Sequence, residues 1–173
     1  LSVIAPMQID GRSWFTYKGF VIALFPRKGG RAPAVDDLQC LETLGRFIGR
    51  MHNVGASNEF AHRPVLSPLD YGEKSRSFLL FDRFIPLELE EAYSTVTEHL
   101  LTMINDRFAT IPVTSLRLHA DCHMGNVLWR DEQPHFVDFD DARSGPSIQD
   151  LWMLLSGDET SRQIQMKSIL TGY

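Results

Sequence analysis

Three oxygen-bearing side chains follow one another in the second half of the chain. They are Asp121, Asn126 five residues later, and Asp138, with Asp140 and Asp141 just behind it. A carboxylate, a carboxamide and a further carboxylate set between apolar runs are what phosphoryl transfer from a nucleotide to a hydroxyl requires. One carboxylate must orient and deprotonate the attacking hydroxyl, and hard oxygen ligands must hold magnesium against the phosphates.

His119-Ala120-Asp121, Asn126 and Asp138-Phe139-Asp140 resemble, in order and spacing, the catalytic-loop and metal-ligand signature of protein kinases. An isolated aspartate beside a turn is usually a solvated cap. The ordered set between expected strands is much more specific than any one of its parts. His119, Cys122 and His123 raise zinc as an alternative. Structural zinc takes four ligands, commonly in paired Cys/His spacings, and the other cysteine, Cys40, is far away in sequence. Zinc is disfavoured.

The elements that must position this loop are readable around it. Apolar runs at 116–118, 127–129 and 136–137 enclose the loop and a turn at 131–134. Upstream, residues 14–25 are aromatic and β-branched on both sides of Lys18-Gly19, which predicts a hairpin ended by Pro26. Arg27-Lys28-Gly29-Gly30-Arg31 reads as a flexible basic hinge. It has neither the Walker pattern nor the kinase glycine pattern. Asp36 and Asp37 open a helix whose face carries Leu38, Leu41, Leu44, Phe47, Ile48 and Met51, with Gly55 as terminator. His52, near that helix end, is expected to cap or pack.

Residues 55–75 read as irregular, punctuated by Pro64 and Pro68, and 78–85 as a short apolar segment. Over 87–108 the positions Leu89, Ala92, Tyr93, Val96, Leu100, Met103, Ile104 and Phe108 predict a long amphipathic helix with a core-facing stripe. Ser144-Gly145-Pro146-Ser147 reads as a turn and N-cap. Ile148, Leu151, Trp152 and Leu155 then give a buried face, Gly157 closes that helix, and 160–170 begins another.

Composition sets the outer bounds. With 43% hydrophobic and 23% charged residues the chain has ordinary globular balance. A net charge of −5 without a basic block argues against non-specific nucleic-acid binding. Two cysteines make a disulfide framework improbable and point to a reducing cytoplasm. No apolar run approaches the ~20 residues that span a bilayer, so no membrane partner is expected. The absence of an initiator Met and a final residue inside a helical pattern read as a piece of a longer protein.

Four stretches match a known family: GFVIALFPRKGGR (19–31), LGRFIGRMHNVG (44–55), LRLHADCHMGNVLWRD (116–131) and FVDFDDARSGPSIQDLWMLLSGD (136–158). Through them the chain resembles the protein-kinase-like superfamily of aminoglycoside phosphotransferases, choline kinases and type II homoserine kinases. Within it the nearest branch is the bacterial stress-response serine/threonine kinases. The resemblance implies an α+β, protein-kinase-like fold. Residues 1–26 would be a remnant of the N-terminal lobe with its hinge strand, and 27–173 a C-terminal lobe truncated at its end. It implies ATP and Mg2+ as cofactors. Asp121 matches the catalytic base, and Asn126 and Asp138 match the metal ligands. His123 matches a position whose donor would meet charge on the transferred phosphoryl group, or else would merely bond the loop backbone. Leu24, Phe25 and Pro26 match backbone that meets adenine, and Asp150 matches a helix aspartate that braces the catalytic loop.

Two departures from the family pattern stand out. Ala120 replaces a glycine, which requires a negative φ there. No glycine-rich loop or strand lysine grips the phosphates, since Lys18 and Lys28 lie in other settings, so the isolated chain is expected to turn over nucleotide weakly. By resemblance the acceptor is a protein Ser/Thr hydroxyl. A small alcohol such as homoserine, choline or an aminoglycoside is the runner-up, and a catalytically silent scaffold is a third reading. For Cys122 two readings stand: its loop position and nearby histidines would favour a redox-active thiolate, while most such cysteines are bystanders.

Overall fold

A computed structural model describes residues 2–173. The first hairpin forms as expected, with β1 (Phe15–Tyr17) antiparallel to β2 (Phe20–Ile22). Lys18 and Gly19 lie between them at φ 49° and 84°. Two left-handed residues make the turn whose twist suits a two-residue hairpin. Asp37 caps α1 (Leu38–Gly55) by accepting from the backbone N–H of Gln39 and Cys40. Gly55 ends this helix for reasons of packing and not of backbone conformation. Its φ is not positive, and an added Cβ would stand 2.2 Å from the carbonyl oxygen of Arg117.

A π-helical turn (Leu69–Glu73) leads into α2 (Lys74–Phe81), and α3 spans Leu87–Thr110. β3 (Ser115–Leu118) pairs antiparallel with β6 (Arg143–Pro146), Leu116 facing Gly145. Between them β4 (Val127–Arg130) and β5 (Gln133–Phe136) form a second hairpin. Asp131 and Glu132 turn it at φ 51° and 55°. α4 (Ile148–Trp152) and α5 (Glu159–Gly172) complete the chain, with Asp158 accepting from Ser161 N–H as the cap of α5.

The core gathers where α1, α5, the 119–126 loop and the β4–β5 hairpin meet. Leu41, Leu44 and Ile48 of α1 and Ile169 of α5 are fully buried there with Cys122, Val127, Phe136, Leu151 and Leu154. Removing these side chains from water is the main drive that fixes the loop between the helices.

Four expectations change. Residues 69–81, read as mostly irregular, are helical. Ser144 to Pro146 is strand and not turn: Ser144 N–H donates to the Pro64 carbonyl, and Leu66 N–H donates to that of Ser144. The Gly29-Gly30-Arg31 stretch is no hinge, because Arg31 exchanges both backbone bonds with Trp129 at 3.1 and 2.7 Å. Finally, the apolar stripe of α3 is not core. No residue of α3 is buried, and Val96 and Met103 are 52% and 53% exposed. The helix is docked by its polar side instead. Arg76 of α2 donates to Thr97 Oγ1 and Ser94 Oγ at 2.8 Å each, and Asn105 donates to Glu73 at 2.8 Å.

Candidate active site

β3 ends at Leu118, and the chain turns abruptly through His119 and Ala120 before Asp121. Ala120 adopts φ +70°, so the negative φ expected for an alanine is not what this turn uses. The left-handed region is uphill for any residue with a Cβ. Asp150, fully buried on α4, holds the turn there. Its Oδ1 accepts from Ala120 N–H at 2.7 Å and its Oδ2 from His119 N–H at 2.9 Å. Gln149 adds a bond to the Ala120 carbonyl at 3.1 Å.

His119 ties the loop to the strand opposite. Its Nε2 lies 2.7 Å from the Val137 carbonyl, and its Nδ1 accepts weakly from Asp121 N–H at 3.4 Å. The ring packs against Phe139 with centroids 4.4 Å apart. Both ring nitrogens are therefore engaged and neither is presented to a metal, which removes His119 from the zinc alternative. Burial raises the Cys122 thiol well above its ordinary range, with Asp150 and Asp121 adding to the effect. The thiol is fully buried, so Cys122 is a bystander of the loop and not a reactive thiolate.

Asp121 emerges from this anchored turn partly exposed. Asn126 Nδ2 donates to its Oδ2 and to its backbone carbonyl, each at 2.9 Å. That leaves the Asn126 carboxamide oxygen as the remaining acceptor. His123 lies beside them. Its Nδ1 accepts from Gly125 N–H at 3.0 Å, and its Nε2 is 3.4 Å from Asp121 Oδ2. The Nδ1 bond leaves the neutral ring with its proton on Nε2, facing the carboxylate.

Asp138 follows β5 at φ +67°, in the left-handed region like Ala120. The hydrogen bond from Asp140 raises its carboxyl pKa, and the Asp140 and Asp121 charges raise it further while His119 lowers it. Neighbouring carboxylates repel one another when charged. A divalent cation relieves the same repulsion. The oxygen-only donor set of Asn126 Oδ1 and the Asp138 carboxylate suits magnesium better than zinc.

A cavity of about 620 Å³ opens beside Asp138 and Asp140 and runs to Phe25 and Pro26, with Lys28, Arg63 and Leu128 on its walls. Leu24 does not line it, and the Leu24 carbonyl accepts from Met7 N–H at 2.7 Å. The structure thus brings Asp121, His123 and Asn126 into direct contact and sets Asp138 on the same cavity as Phe25 and Pro26. Sequence reading gave His52 only a generic packing or capping role. It is a buried partner of Asp150 at 3.0 Å, and only the fold brings these two residues together. Arg63, absent from every motif, donates to the Asp140 carbonyl and lines the cavity.

The sequence profile of the phosphotransferase enzyme family matches residues 3–173. Among curated proteins, the chain is 41% identical over 171 residues to stress response kinase A of Shigella flexneri, covering 99% of this chain and 52% of that protein. It is 39% identical over 171 residues to the serine/threonine protein kinase RdoA of Salmonella typhimurium, with the same coverage of 99% and 52%. The chain spans about half the length of the curated relatives it matches. Among solved structures it is similar to amicoumacin kinase hAmiN in complex with AMP-PNP, Ca2+ and Ami, with a TM-score of 0.73, 19% identity and coverage of 99% of this chain and 56% of that one. Spectinomycin phosphotransferase APH(9)-Ia, in complex with ADP and spectinomycin, gives 0.68 at 17% identity, covering 99% and 58%. At these identities the likeness is one of fold, a mixed α/β architecture of the aminoglycoside-phosphotransferase type.

Proposed function

The chain belongs to the phosphotransferase enzyme family, and from that premise we propose that its parent protein transfers the γ-phosphoryl group of ATP to the hydroxyl of a protein serine or threonine. The observation that carries this reading is identity of 39–41% over nearly the whole chain to stress response kinase A and RdoA. The side chains around Asp121 are arranged as that chemistry needs.

Asp121 accepts the proton of the acceptor hydroxyl as its oxygen attacks the γ-phosphorus and ADP departs. The Asn126 amide bond at 2.9 Å keeps one carboxylate oxygen directed while the other is free for the hydroxyl. His123, whose Nε2 lies 3.4 Å from Asp121, would donate to the charge developing on the transferred phosphoryl group. Magnesium, held by Asn126 Oδ1 and Asp138, would neutralise the phosphate oxygens. Adenine would lie against Phe25 and Pro26 in the cavity. Residues 1–26 act as the hinge side of this cleft, and 27–173 as the lobe that carries the acceptor machinery. Both cysteines are free and buried, which agrees with a reducing cytoplasm. Among the described residues no helix is long and apolar enough to cross a membrane. The isolated 173 residues, without a glycine-rich loop or strand lysine, should turn over ATP weakly at best.

A second reading, a small-molecule alcohol as acceptor, is favoured by the fold neighbours whose names are those of antibiotic kinases. One experiment separates the two. The full-length parent and its Asp121→Asn variant are incubated with labelled ATP and magnesium, once with a generic protein substrate and once with small alcohols. Label entering protein, and falling by about 10²–10⁴-fold in the variant, is the expected result. Label moving only to small alcohols selects the second reading. No transfer to either from a folded protein selects a silent scaffold.

A further inference from the structure

α1 and α5 touch backbone to backbone. A Cβ added to Gly45 would stand 2.0 Å from the Ile169 carbonyl oxygen, and one added to Gly172 would stand 1.8 Å from that of Glu42. This contact places Tyr173, the residue after α5, edge-on to the His52 ring, with centroids 5.5 Å apart at 74°. Its hydroxyl is 2.7 Å from His52 Nδ1. On the other side of the ring, Nε2 is 3.0 Å from Asp150 Oδ2. Asp150 in turn holds the N–H groups of His119 and Ala120. An unbroken chain of hydrogen bonds therefore runs from Tyr173 through His52 and Asp150 to the turn that carries Asp121.

The direction of that chain is fixed by chemistry. Facing a carboxylate, His52 Nε2 must carry a proton. In the neutral ring Nδ1 is then a bare lone pair, and at 3% exposure no solvent reaches it freely. Only a donor satisfies that lone pair, and the Tyr173 hydroxyl is the donor in place. Without it the lone pair is buried with no donor, and the ring must tilt to find one, which loosens the Nε2–H bond to Asp150. Movement matters here because Ala120 sits at φ +70°, a conformation alanine leaves unless it is held. The clamp is the counterweight to that strain.

We propose that Tyr173 is a positioning residue for phosphoryl transfer. Its hydroxyl satisfies Nδ1 and holds the His52 ring in place against Asp150, and through Asp150 this keeps the strained Ala120 turn, and hence Asp121, in place. The proposal rests on the phosphotransferase reading above and adds the coupling of α5 to the catalytic loop. It is tested in the full-length parent with Tyr173→Phe, which keeps the ring and removes only the hydroxyl.

The expected result is a fall in kcat of about tenfold with KM for ATP unchanged, since a small displacement of the base costs turnover while the nucleotide contacts remain. The His52 Nε2–H proton should shift upfield and exchange faster with solvent as its bond to Asp150 loosens. Adding Ala120→Gly to Tyr173→Phe should restore most of the lost kcat, because glycine occupies the turn without strain. A merely structural tyrosine would show no such rescue. A Tyr173→Phe enzyme with wild-type kcat overturns the proposal. So does a loss that Ala120→Gly leaves in place, or one that follows a fall in folded fraction. If the wild-type parent transfers no phosphoryl group at all, the functional reading fails, but the Nε2–H measurement still decides. An unchanged His52 Nε2–H in Tyr173→Phe then overturns the coupling, and a weakened one upholds it.

Discussion

α1 and α3 are both long helices with an apolar stripe, and they sit in opposite surroundings. α1 has Leu41, Leu44 and Ile48 fully buried, and its polar His52 is bonded on both sides. α3 has no buried residue, and it is held to α2 by bonds from Arg76 to Ser94 and Thr97. The two helices therefore do different work. α1 is part of the frame that holds the Asp121 loop, because apolar burial, close backbone contact and a buried polar chain all act on the same residues. α3 is attached by a few partly exposed side-chain bonds, each worth about 1 kcal/mol or less net. Precision is concentrated on one side of the molecule, where Asp121 needs it.

The strongest way to break this comparison is to remove the centre of the buried polar chain. Asp150→Ala leaves His52 and two backbone N–H groups without their acceptor in a site closed to water. Removing one partner of a buried, hydrogen-bonded pair costs about 3–5 kcal/mol. Thermal melting should show a large drop in Tm, and the His119 and Ala120 amides should lose their protection from hydrogen exchange. A variant that melts with the wild type would mean that the frame around α1 is held by apolar packing alone.

The second change acts in the opposite direction. Ala120→Gly removes a Cβ from a residue at φ +70° whose N–H remains bonded to Asp150. Relief of left-handed strain, less the extra freedom glycine gains when unfolded, should stabilise the protein by about 1 kcal/mol. For a chain of this size that is a rise in Tm of roughly 2–4 °C. A destabilised Ala120→Gly would show that the turn is not strained and that Asp150 is not opposing anything.

These two residues also mark what could be read before the fold was known. The order Asp121, Asn126, Asp138 was legible because the chemistry demands particular residue types at short range, and the strands that enclose the loop announce themselves as apolar runs. α1 was legible because its period, its Asp37 cap and its apolar face agree. Asp150 as a brace was legible only through family resemblance, since nothing local in Ser147-Ile148-Gln149-Asp150 tells which backbone it will meet. His52 and Tyr173 were not legible as partners, because their pairing depends on how closely two distant helices approach. The sign of φ at Ala120 was misjudged because the residue type was weighed without the clamp opposite it. β6 was misread for a similar reason: Gly-Pro is ordinary turn chemistry, and only pairing with β3 and with residues 64–66 makes it a strand.

The smallest expected effect concerns the misread stripe of α3. Leu100 and Met103 belong to that stripe, and they are 49% and 53% exposed. Replacing both with Gln removes little buried area and keeps helix propensity nearly constant. In the 173-residue chain each change should therefore alter stability by no more than about 0.5 kcal/mol. The measurement gains meaning when it is repeated in the parent, whose relatives are about twice as long as this chain. An equally small effect there would make α3 an appendage held by Arg76 and its partners, and the contrast with α1 would be a property of the whole protein. A cost of about 2 kcal/mol or more per residue would be that of burying a leucine or methionine side chain. The stripe would then be core after all, with its cover supplied by residues outside this chain. The contrast would then reduce to a division of labour in folding, in which α1 finds its partners locally and α3 waits for them.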